Sequence, residues 1–436
     1  CKVTTYVKDP MVRPMVYPVI AEHLKGVCPV STGVVVKSLS FETCDFQIDV
    51  FANIAQNKNR GHERLRISDP NYLPDVDYPP FYPEPVLAKL NTARSLLQDS
   101  FYDKWLKKKA DDIEAGVKLL TSCGKRDFFK YSADIYGLPS DTLHDQKTTP
   151  LELATKFESV INAYHSSPLK KLKHKYISSD DIRQRIEEKV NNIFGTQSPK
   201  VIIVDALSAN ATATSKVIKI RRNSRFTEKD VDQLFNHEAL VHVGTSLNGR
   251  NQNTMKILGG NYGAITKTQE GLAVFSEFIT GSIDVERMYR LSDRVLAIQM
   301  AIDGASFIDV YRFFLKRTDV KIQAFENARR VFRGGVLEGG APFTKDIVYL
   351  DGLIRVHNFF RSAVANGRED ILELIFSGKI DLDDIPVLIR MQKEGLIKKP
   401  KYIPHWLRDM DYLVCYFAFS VFMDDINYTK VDEYYD

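Results

Sequence analysis

Apolar residues along most of the chain recur at the spacing of helices. From Pro85 onwards, Val86, Leu90, Ala93 and Leu97 form one stripe, the pattern of residues that share one face of a helix. The same periodicity predicts further helices over residues 102–122, 149–164, 179–195, 227–244, 268–279, 285–303, 306–317, 322–332, 345–365, 370–376, 385–394 and 409–423. Helices therefore dominate the predicted fold.

Strand patterns are fewer and shorter. A continuous apolar run at 201–204 and an alternating run at 216–220 predict two strands that pair. Alternation of apolar and polar residues is typical of a sheet with one face in solvent. Apolar and β-branched residues predict further strands at 33–39 and 46–54. The fold class is thus α+β, mainly α-helical, with a small β-sheet.

A proline-rich stretch supplies the clearest boundary. Five prolines fall between residues 72 and 85, and proline excludes a helix interior while favouring an extended connector. We therefore predict four parts. They are an N-terminal segment of unknown role (1–70), a helical part (71–200), a core with a helical C-terminal half (201–425) and an acidic tail (426–436).

The segment that carries the candidate chemistry begins with a recognisable cap. Thr227 is a suitable N-cap and Asp230 occupies the third helical position, the arrangement of a capping box. Val231, Leu234 and other apolar residues give this helix a packing side, and Gly244 is predicted to end it.

His237 and His242 lie within this predicted helix, five residues apart. Zinc-binding helices usually place histidines four residues apart, about 40° around the axis. Five residues give about 140° on a regular helix, so both imidazoles could not reach one ion. One extra residue in the turn, a π-bulge, brings both to the same face. The metal interpretation therefore predicts a widened helix, and the alternative is two unrelated histidines.

The next predicted helix offers a third ligand. Zinc in a hydrolytic site takes three protein ligands and one open position, and Glu270 lies in the first turn of that helix. Gly271 permits a close approach of another backbone or a metal. Glu277 is either a rival ligand or a carboxylate that orients a ligand. Glu238, next to His237, is placed to take a proton from water. The alternative for each carboxylate is a solvated helix charge.

His-Glu-x-x-x-His, followed at 269–273 by Gln-Glu-Gly-Leu-Ala, resembles the QEGLA-motif family of bacterial proteins. Its eukaryotic relatives are the microtubule-associated tyrosine carboxypeptidases. The likeness continues through residues 245–249, 329–335 and 343–350 and covers roughly residues 75 to 425.

The resemblance implies a zinc metallopeptidase with a zincin-like core, in which the small sheet lies beside the His-Glu-x-x-x-His helix. It implies one Zn²⁺ ion held by His237, His242 and Glu270, with Glu238 as the catalytic carboxylate. The expected substrate is the C-terminal tail of a peptide or protein, and the residue removed is tyrosine in the eukaryotic members.

A carboxypeptidase needs a cation for the substrate's terminal carboxylate, preferably an arginine that grips it with two hydrogen bonds. Arg333 and Lys345 are the candidates because each lies near a glycine pair, and Arg250 is the next choice. Tyr349 is a candidate donor to the tetrahedral oxyanion. The alternative is that the arginines of the 329–333 cluster pair with helix acids on the surface.

Composition and charge narrow the class of protein. The chain has 436 residues with 44% hydrophobic and 27% charged residues, which is ordinary for a globular protein. A net charge of +4 gives no argument for nucleic acid. The five cysteines are scattered, which argues against a disulfide scaffold and favours a reducing cytosol; we expect a cytoplasmic protein. Cys1 is either a mature lipoprotein start or a trimmed start, and its non-tether-like surroundings favour the latter.

Three further expectations complete the sequence interpretation. The apolar run at 412–423 is too short to span a bilayer and predicts a buried helix. His357, in an apolar helix, is expected to be packed or to support the site rather than bind metal. Two competing functions stay open: a metallopeptidase of endo- or aminopeptidase specificity, and a non-catalytic or regulatory zinc-binding protein.

Overall fold

The computed structural model describes the backbone of residues 2–7, 30–35 and 46–51. It describes residues 78, 80–166, 175–205, 207, 209–222, 224, 226–318 and 320–423 more fully, apart from the side chains of 164–166. Cys1 and the predicted acidic tail lie outside these residues. The chain divides into two compact units, Cys1–Pro80 and Phe81–Asp436. That division falls inside the proline-rich stretch. Apart from residues 71–80, which belong to the first unit, the predicted 71–200 and 201–425 parts share the second unit.

The first unit contains a three-stranded sheet in its described residues. Its strands are β1 (Lys2–Val7), β2 (Val30–Val35) and β3 (Phe46–Phe51), in the order β2-β1-β3. β1 pairs with β2 in parallel and with β3 antiparallel. The strands predicted at 33–39 and 46–54 overlap β2 and β3, and their remaining residues lie outside the described part.

The second unit is mainly helical, as predicted. Its helices are α1 (Glu84–Ser95), α2 (Phe101–Thr121), α3 (Asp127–Tyr136), α4 (Pro150–Ser166), α5 (Ser179–Phe194), α6 (Glu228–Leu234), α7 (Gly244–Arg250), α8 (Thr266–Ile279), α9 (Val285–Ile302), α10 (Phe307–Arg317), α11 (Lys321–Phe332), α12 (Val348–Ala365), α13 (Ile385–Lys393), α14 (His405–Arg408) and α15 (Met410–Met423). The segment Glu369–Phe376, predicted as an α-helix, is a 3₁₀ helix.

A small sheet accompanies these helices. β5 (Lys200–Val204), β6 (Ala211–Ala213) and β7 (Val217–Arg221) lie in the order β5-β7-β6, with β5 parallel and β6 antiparallel to β7. β4 (Tyr176–Ile177) and β8 (Phe226–Thr227) form a separate short pair. The predicted pairing of β5 with β7 is confirmed, and so is the one wet face of β7. Its Ile218 and Ile220 are buried, whereas Lys219 between them is exposed.

The main core is built around α8 and α12. Phe275 of α8 stacks on Phe360 of α12 and on Phe417 of α15, with ring centroids 5.0 and 6.2 Å apart. Trp406 meets Phe275 edge-on, at 5.4 Å. His357 lies 5.4 Å from the Phe417 ring, so the expectation of a packed histidine is confirmed. These aromatic contacts hold the helices that carry the site.

Helix α15 differs from its prediction. It forms over the expected residues, but only one side is buried, through Leu413 and Phe417. Phe419 and Phe422 are 63% and 61% exposed. The run is apolar around its whole circumference, so periodicity could not show that one face alone would meet the core. Among the described helices, none has the length and hydropathy needed to cross a membrane.

Candidate metal centre

The helix that carries both histidines is widened at the histidines. A π-helical segment, Phe235–Val243, continues directly from α6 and runs into α7. Its i→i+5 hydrogen-bonding pattern puts His237 and His242 on one side of the helix. Their ring centroids are 4.9 Å apart and the ring planes are inclined by 86°. The predicted widening is confirmed. The alternative of two histidines pointing apart is wrong.

Gly244 does not end this helix, contrary to the prediction. Its φ and ψ of −55° and −54° are helical, and α7 follows without a break. The next turn is anchored by Asn248, whose amide donates to the carbonyls of Phe376 and Tyr402. It also accepts from the backbone N–H groups of Lys401 and Tyr402. Four tertiary hydrogen bonds offset the helix-weakening effect of one glycine.

Glu270 reaches the histidines from α8. Its Oε2 lies 3.5 Å from Nε2 of His237 and 3.5 Å from Nε2 of His242. One ligand atom from each of the three residues lies within 4.8 Å of the others. The approach of α12 depends on Gly271, where a Cβ would collide with the backbone of Gly352. The glycine next to the third candidate ligand thus admits another backbone, one of the two possibilities we considered.

Glu277 contacts His237 and does not join the cluster. Its Oε1 lies 2.7 Å from Nδ1 of His237, on the ring edge opposite the cluster. Arg287 donates to both carboxylate oxygens, at 3.1 Å each, and Gln233 donates at 2.8 Å. A carboxylate on the remote nitrogen of a ligand histidine fixes its ring and tautomer. Glu277 is therefore placed to orient His237, and it is not one of the three clustered side chains.

Burial and hydrogen bonds shift the pKa of each clustered side chain. Burial alone would lower the pKa of His237, but hydrogen bonds with Glu270 and Glu277 raise it to about 10. Burial outweighs the same kind of interaction at His242, whose pKa is lowered. The pKa of Glu270 falls well below its usual value because hydrogen bonds from both histidines overcome the effect of burial. The carboxylate therefore stays ionised, as a metal ligand must.

A cleft of about 530 Å³ opens over the cluster. Glu238 lines it, and its carboxylate makes no hydrogen bond or ion pair with any described residue. The Tyr349 ring also lines the cleft, and its hydroxyl lies 3.5 Å from Nη2 of Arg330. Burial, followed by the charge of Glu270, raises the pKa of Tyr349. Its phenol therefore keeps its proton and can donate it in a hydrogen bond.

The basic candidates divide into two groups. Arg330 donates two hydrogen bonds to the Asp346 carboxylate, at 2.5 and 2.8 Å. Arg329 forms an ion pair with Glu326. For these two arginines the pairing is as the alternative expected, but both pairs are largely buried and do not lie on the surface. Arg330 lines the cleft, as do Arg333 and Lys345.

Arg333 stacks 5.2 Å from the Phe343 ring, and neither it nor Lys345 has a carboxylate within ion-pair distance among the described residues. Arg250 is not brought to the cleft. It lies at the end of α7, in a separate concavity with Lys398, Lys399 and Lys401.

Sequence reasoning missed one wall of the cleft. Arg287, Arg290 and Arg294 of α9 all line it. Their spacing of three and four residues indicates one helix face, and that was the available signal. The sequence could not predict that this face of α9 turns towards the histidines, because the orientation depends on how α9 packs against its neighbours.

One comparison with known proteins identifies the family. A model of the family described as "Microtubule-associated tyrosine carboxypeptidase" matches residues 63–425. A search of curated proteins finds no matching relative. The matched span contains the widened helix, Glu270, Glu277 and the whole cleft. The chain therefore belongs to the microtubule-associated tyrosine carboxypeptidase family.

Proposed function

We propose that this protein is a zinc-dependent metallopeptidase that removes the C-terminal residue, tyrosine by family resemblance, from a peptide or protein tail. The observation that carries the proposal is the convergence of His237, His242 and Glu270 on one side of a widened helix. Two imidazoles and one carboxylate are the ligand set of hydrolytic zinc sites. Glu277 on the remote nitrogen of His237 is the support that such ligands require.

Zinc fits these residues. Two imidazole rings and an ionised carboxylate lie close enough for one ion, and an open cleft leaves room for water and substrate. Because an imidazole must be neutral to bind a metal, zinc would displace the proton from the ligand nitrogen of His237. Bound zinc would polarise the scissile carbonyl and activate water. We keep the zincin-like nature of the core as a prediction. It is supported by the position of β6, which packs against the π-helical segment.

Glu238 is the proposed general base and acid. It takes the proton of the attacking water and returns it to the leaving amine. The Glu238 carboxylate has no hydrogen-bond or ion-pair partner among the described residues. This suits the role, because a carboxylate held by an arginine would be a weaker base. Tyr349 is proposed to donate its hydroxyl hydrogen to the oxyanion of the tetrahedral intermediate. Both side chains face the same cleft.

The cleft also suits an anionic chain end. Arg333 and Lys345 are available to bind the terminal carboxylate, because their charges are not already paired among the described residues. β6 is an edge strand of its sheet in the described residues, and Ala211–Ala213 line the cleft. An extended peptide could add to this edge by main-chain hydrogen bonds. Arg333 and Lys345 favour a C-terminal carboxylate over an N-terminal amine in the cleft. This charge therefore favours a carboxypeptidase over an aminopeptidase.

The decisive experiment compares wild type with Glu238→Gln and His237→Ala. Wild type should bind one zinc ion per chain and shorten peptides from the C-terminus. Glu238→Gln should keep zinc and lose hydrolysis, whereas His237→Ala should lose zinc. Equal zinc in wild type and His237→Ala would refute the metal site. Zinc binding without cleavage of a C-terminally varied peptide library would favour the non-catalytic alternative, and internal cleavage would favour an endopeptidase.

Substrate binding has its own matched pair of variants. Arg333→Met should lower kcat/KM about tenfold to a hundredfold, since it removes a charge-assisted contact, and should leave the melting temperature nearly unchanged. Arg330→Met should instead lower stability by up to about 3–5 kcal/mol, because it leaves the buried Asp346 with only the more distant Arg294, at 3.6 Å. If Arg333→Met cleaves like wild type, Arg333 does not bind the carboxylate.

A further inference from the structure

A buried lysine lies behind the metal cluster, outside the residues that line the cleft. Lys379 is 5% exposed and follows Gly378, where a Cβ would collide with the carbonyl oxygen of Leu258. The backbone N–H of Lys379 donates to that same oxygen, at 2.6 Å. The close backbone approach fixes the position from which the lysine side chain leaves the chain.

The ammonium group of Lys379 ends on the glutamine of the 269–273 motif. Its Nζ donates to Oε1 of Gln269 at 2.9 Å. The same oxygen lies 2.8 Å from the hydroxyl of Thr245. Thr245 is three residues beyond His242, and Gln269 immediately precedes Glu270. One amide oxygen therefore joins the helix of the second histidine, the helix of the third ligand, and the segment after Phe376.

This contact is unusual in its charge balance. No carboxylate lies within ion-pair distance of Lys379 among the described residues, and a buried cation without one is costly. Burial lowers its pKa to about 8, although the charges of Glu270 and Glu238 act to raise it. The lysine is thus mainly cationic at neutral pH. An ammonium can only donate, so it fixes the orientation of the Gln269 amide.

We propose that Lys379 and Gln269 are positioning residues. Together with Thr245 they form a clasp that sets the distance between Glu270 and His242 and so prepares the three-ligand site. The inference rests on the proposed zinc site. It assigns a role to Gln269, a residue to which the proposed hydrolysis gives no part. Removing either end of the clasp should loosen the third ligand while leaving all three ligands in the chain.

The test is a double-mutant cycle on the full chain, read out as zinc affinity by competition with a chelator. Lys379→Met and Gln269→Met should each weaken zinc binding about tenfold, the lower end of the effect seen when a ligand loses its support. The double variant should be no weaker than either single variant, because both remove the same contact. Thr245→Val, a smaller change, should weaken binding in the same direction.

A matched control separates positioning from general destabilisation. Lys109 is also buried, and pairs with Asp384 at 2.8 Å, but contacts none of the three ligands. Lys109→Met should lower the zinc-free melting temperature without changing zinc affinity. If Lys109→Met does not fold, Thr245→Val and Gln269→Met decide the question by themselves.

Two outcomes would overturn the clasp. Unchanged zinc affinity in Lys379→Met and Gln269→Met would show that the contact is only structural. Tighter zinc binding in Lys379→Met alone would show that the lysine acts by charge repulsion on the ion. If wild type binds no zinc, it is the proposed function that fails, and this outcome is distinguishable from both.

Discussion

Glu277→Gln tests whether the support behind His237 is as important as the geometry indicates. The carboxylate is 0% exposed and receives four contacts, from His237, Gln233 and both ends of Arg287. Glutamine has almost the same shape. It replaces one acceptor oxygen by an NH₂ group, which would face donors, and it removes the charge that compensates Arg287.

The size of the effect follows from the environment of Glu277. Burial by itself would raise the pKa of this carboxyl, but the charge of Arg287 and the hydrogen bond with His237 lower it from 4.5 to about 2. That lowering corresponds to roughly 3 kcal/mol, within the range of about 3–5 kcal/mol for breaking a buried ion pair. For an acid with a lowered pKa, this stability is present above pH 4.5 and is lost as the pH falls through about 2.

We therefore expect Glu277→Gln to lower the free energy of zinc-free unfolding at pH 7 by about 3 kcal/mol and zinc affinity by about tenfold to a hundredfold. Denaturant unfolding and chelator competition measure the two effects. Glu228→Gln is the matched control, because it breaks an ion pair with Arg185 at the surface, where the Glu228 side chain is 57% exposed. Its loss should cost less than about 1 kcal/mol of stability. If the two variants lose equal stability and Glu277→Gln binds zinc normally, the assigned role of Glu277 is wrong.

Two further predictions concern packing and pH. Gly271→Ala should cost about 1–3 kcal/mol and weaken zinc binding, because its Cβ collides with Gly352; Gly116→Ala, with open space around its Cβ, should instead stabilise by about 0.5–1 kcal/mol. Equal melting temperatures for the two variants would contradict this. Burial raises the pKa of Asp293 to about 7 despite Arg317, so its stabilising contribution is complete below pH 3.8 and is lost as the pH rises through 7. Asp293→Asn should therefore gain stability relative to wild type, by up to about 4 kcal/mol, between pH 4 and pH 8; parallel pH–stability curves would refute the assignment.

The widening of the helix that carries His237 and His242 could be predicted from sequence. Two imidazoles five residues apart cannot share an ion on a regular helix, so the metal interpretation required a widened turn, and Phe235–Val243 provides it. The N-cap at Thr227 was also predictable, because a capping box depends on two residues three positions apart, here Thr227 and Asp230. In both cases the determinants lie within one or two turns.

The partners of the charged residues were not predictable. Arg330 finds Asp346 and Arg333 does not, although both arginines belong to one short cluster. Glu277 reaches Arg287 and His237 from different helices. These choices depend on crossing angles and close approaches between helices, which no local pattern specifies.

Resemblance to a known family singled out Glu270 as the third candidate ligand. The sequence by itself determined the helical character, the N-cap at Thr227, the π-bulge and the two candidate histidines. Those features follow from backbone periodicity and from what one side chain can reach along its own helix. Only the tertiary structure decided that Glu270 meets the histidines, that Arg250 lies away from the cleft, and that Lys379 holds Gln269. Such contacts join residues far apart in the chain, and they are fixed by close packing of whole helices.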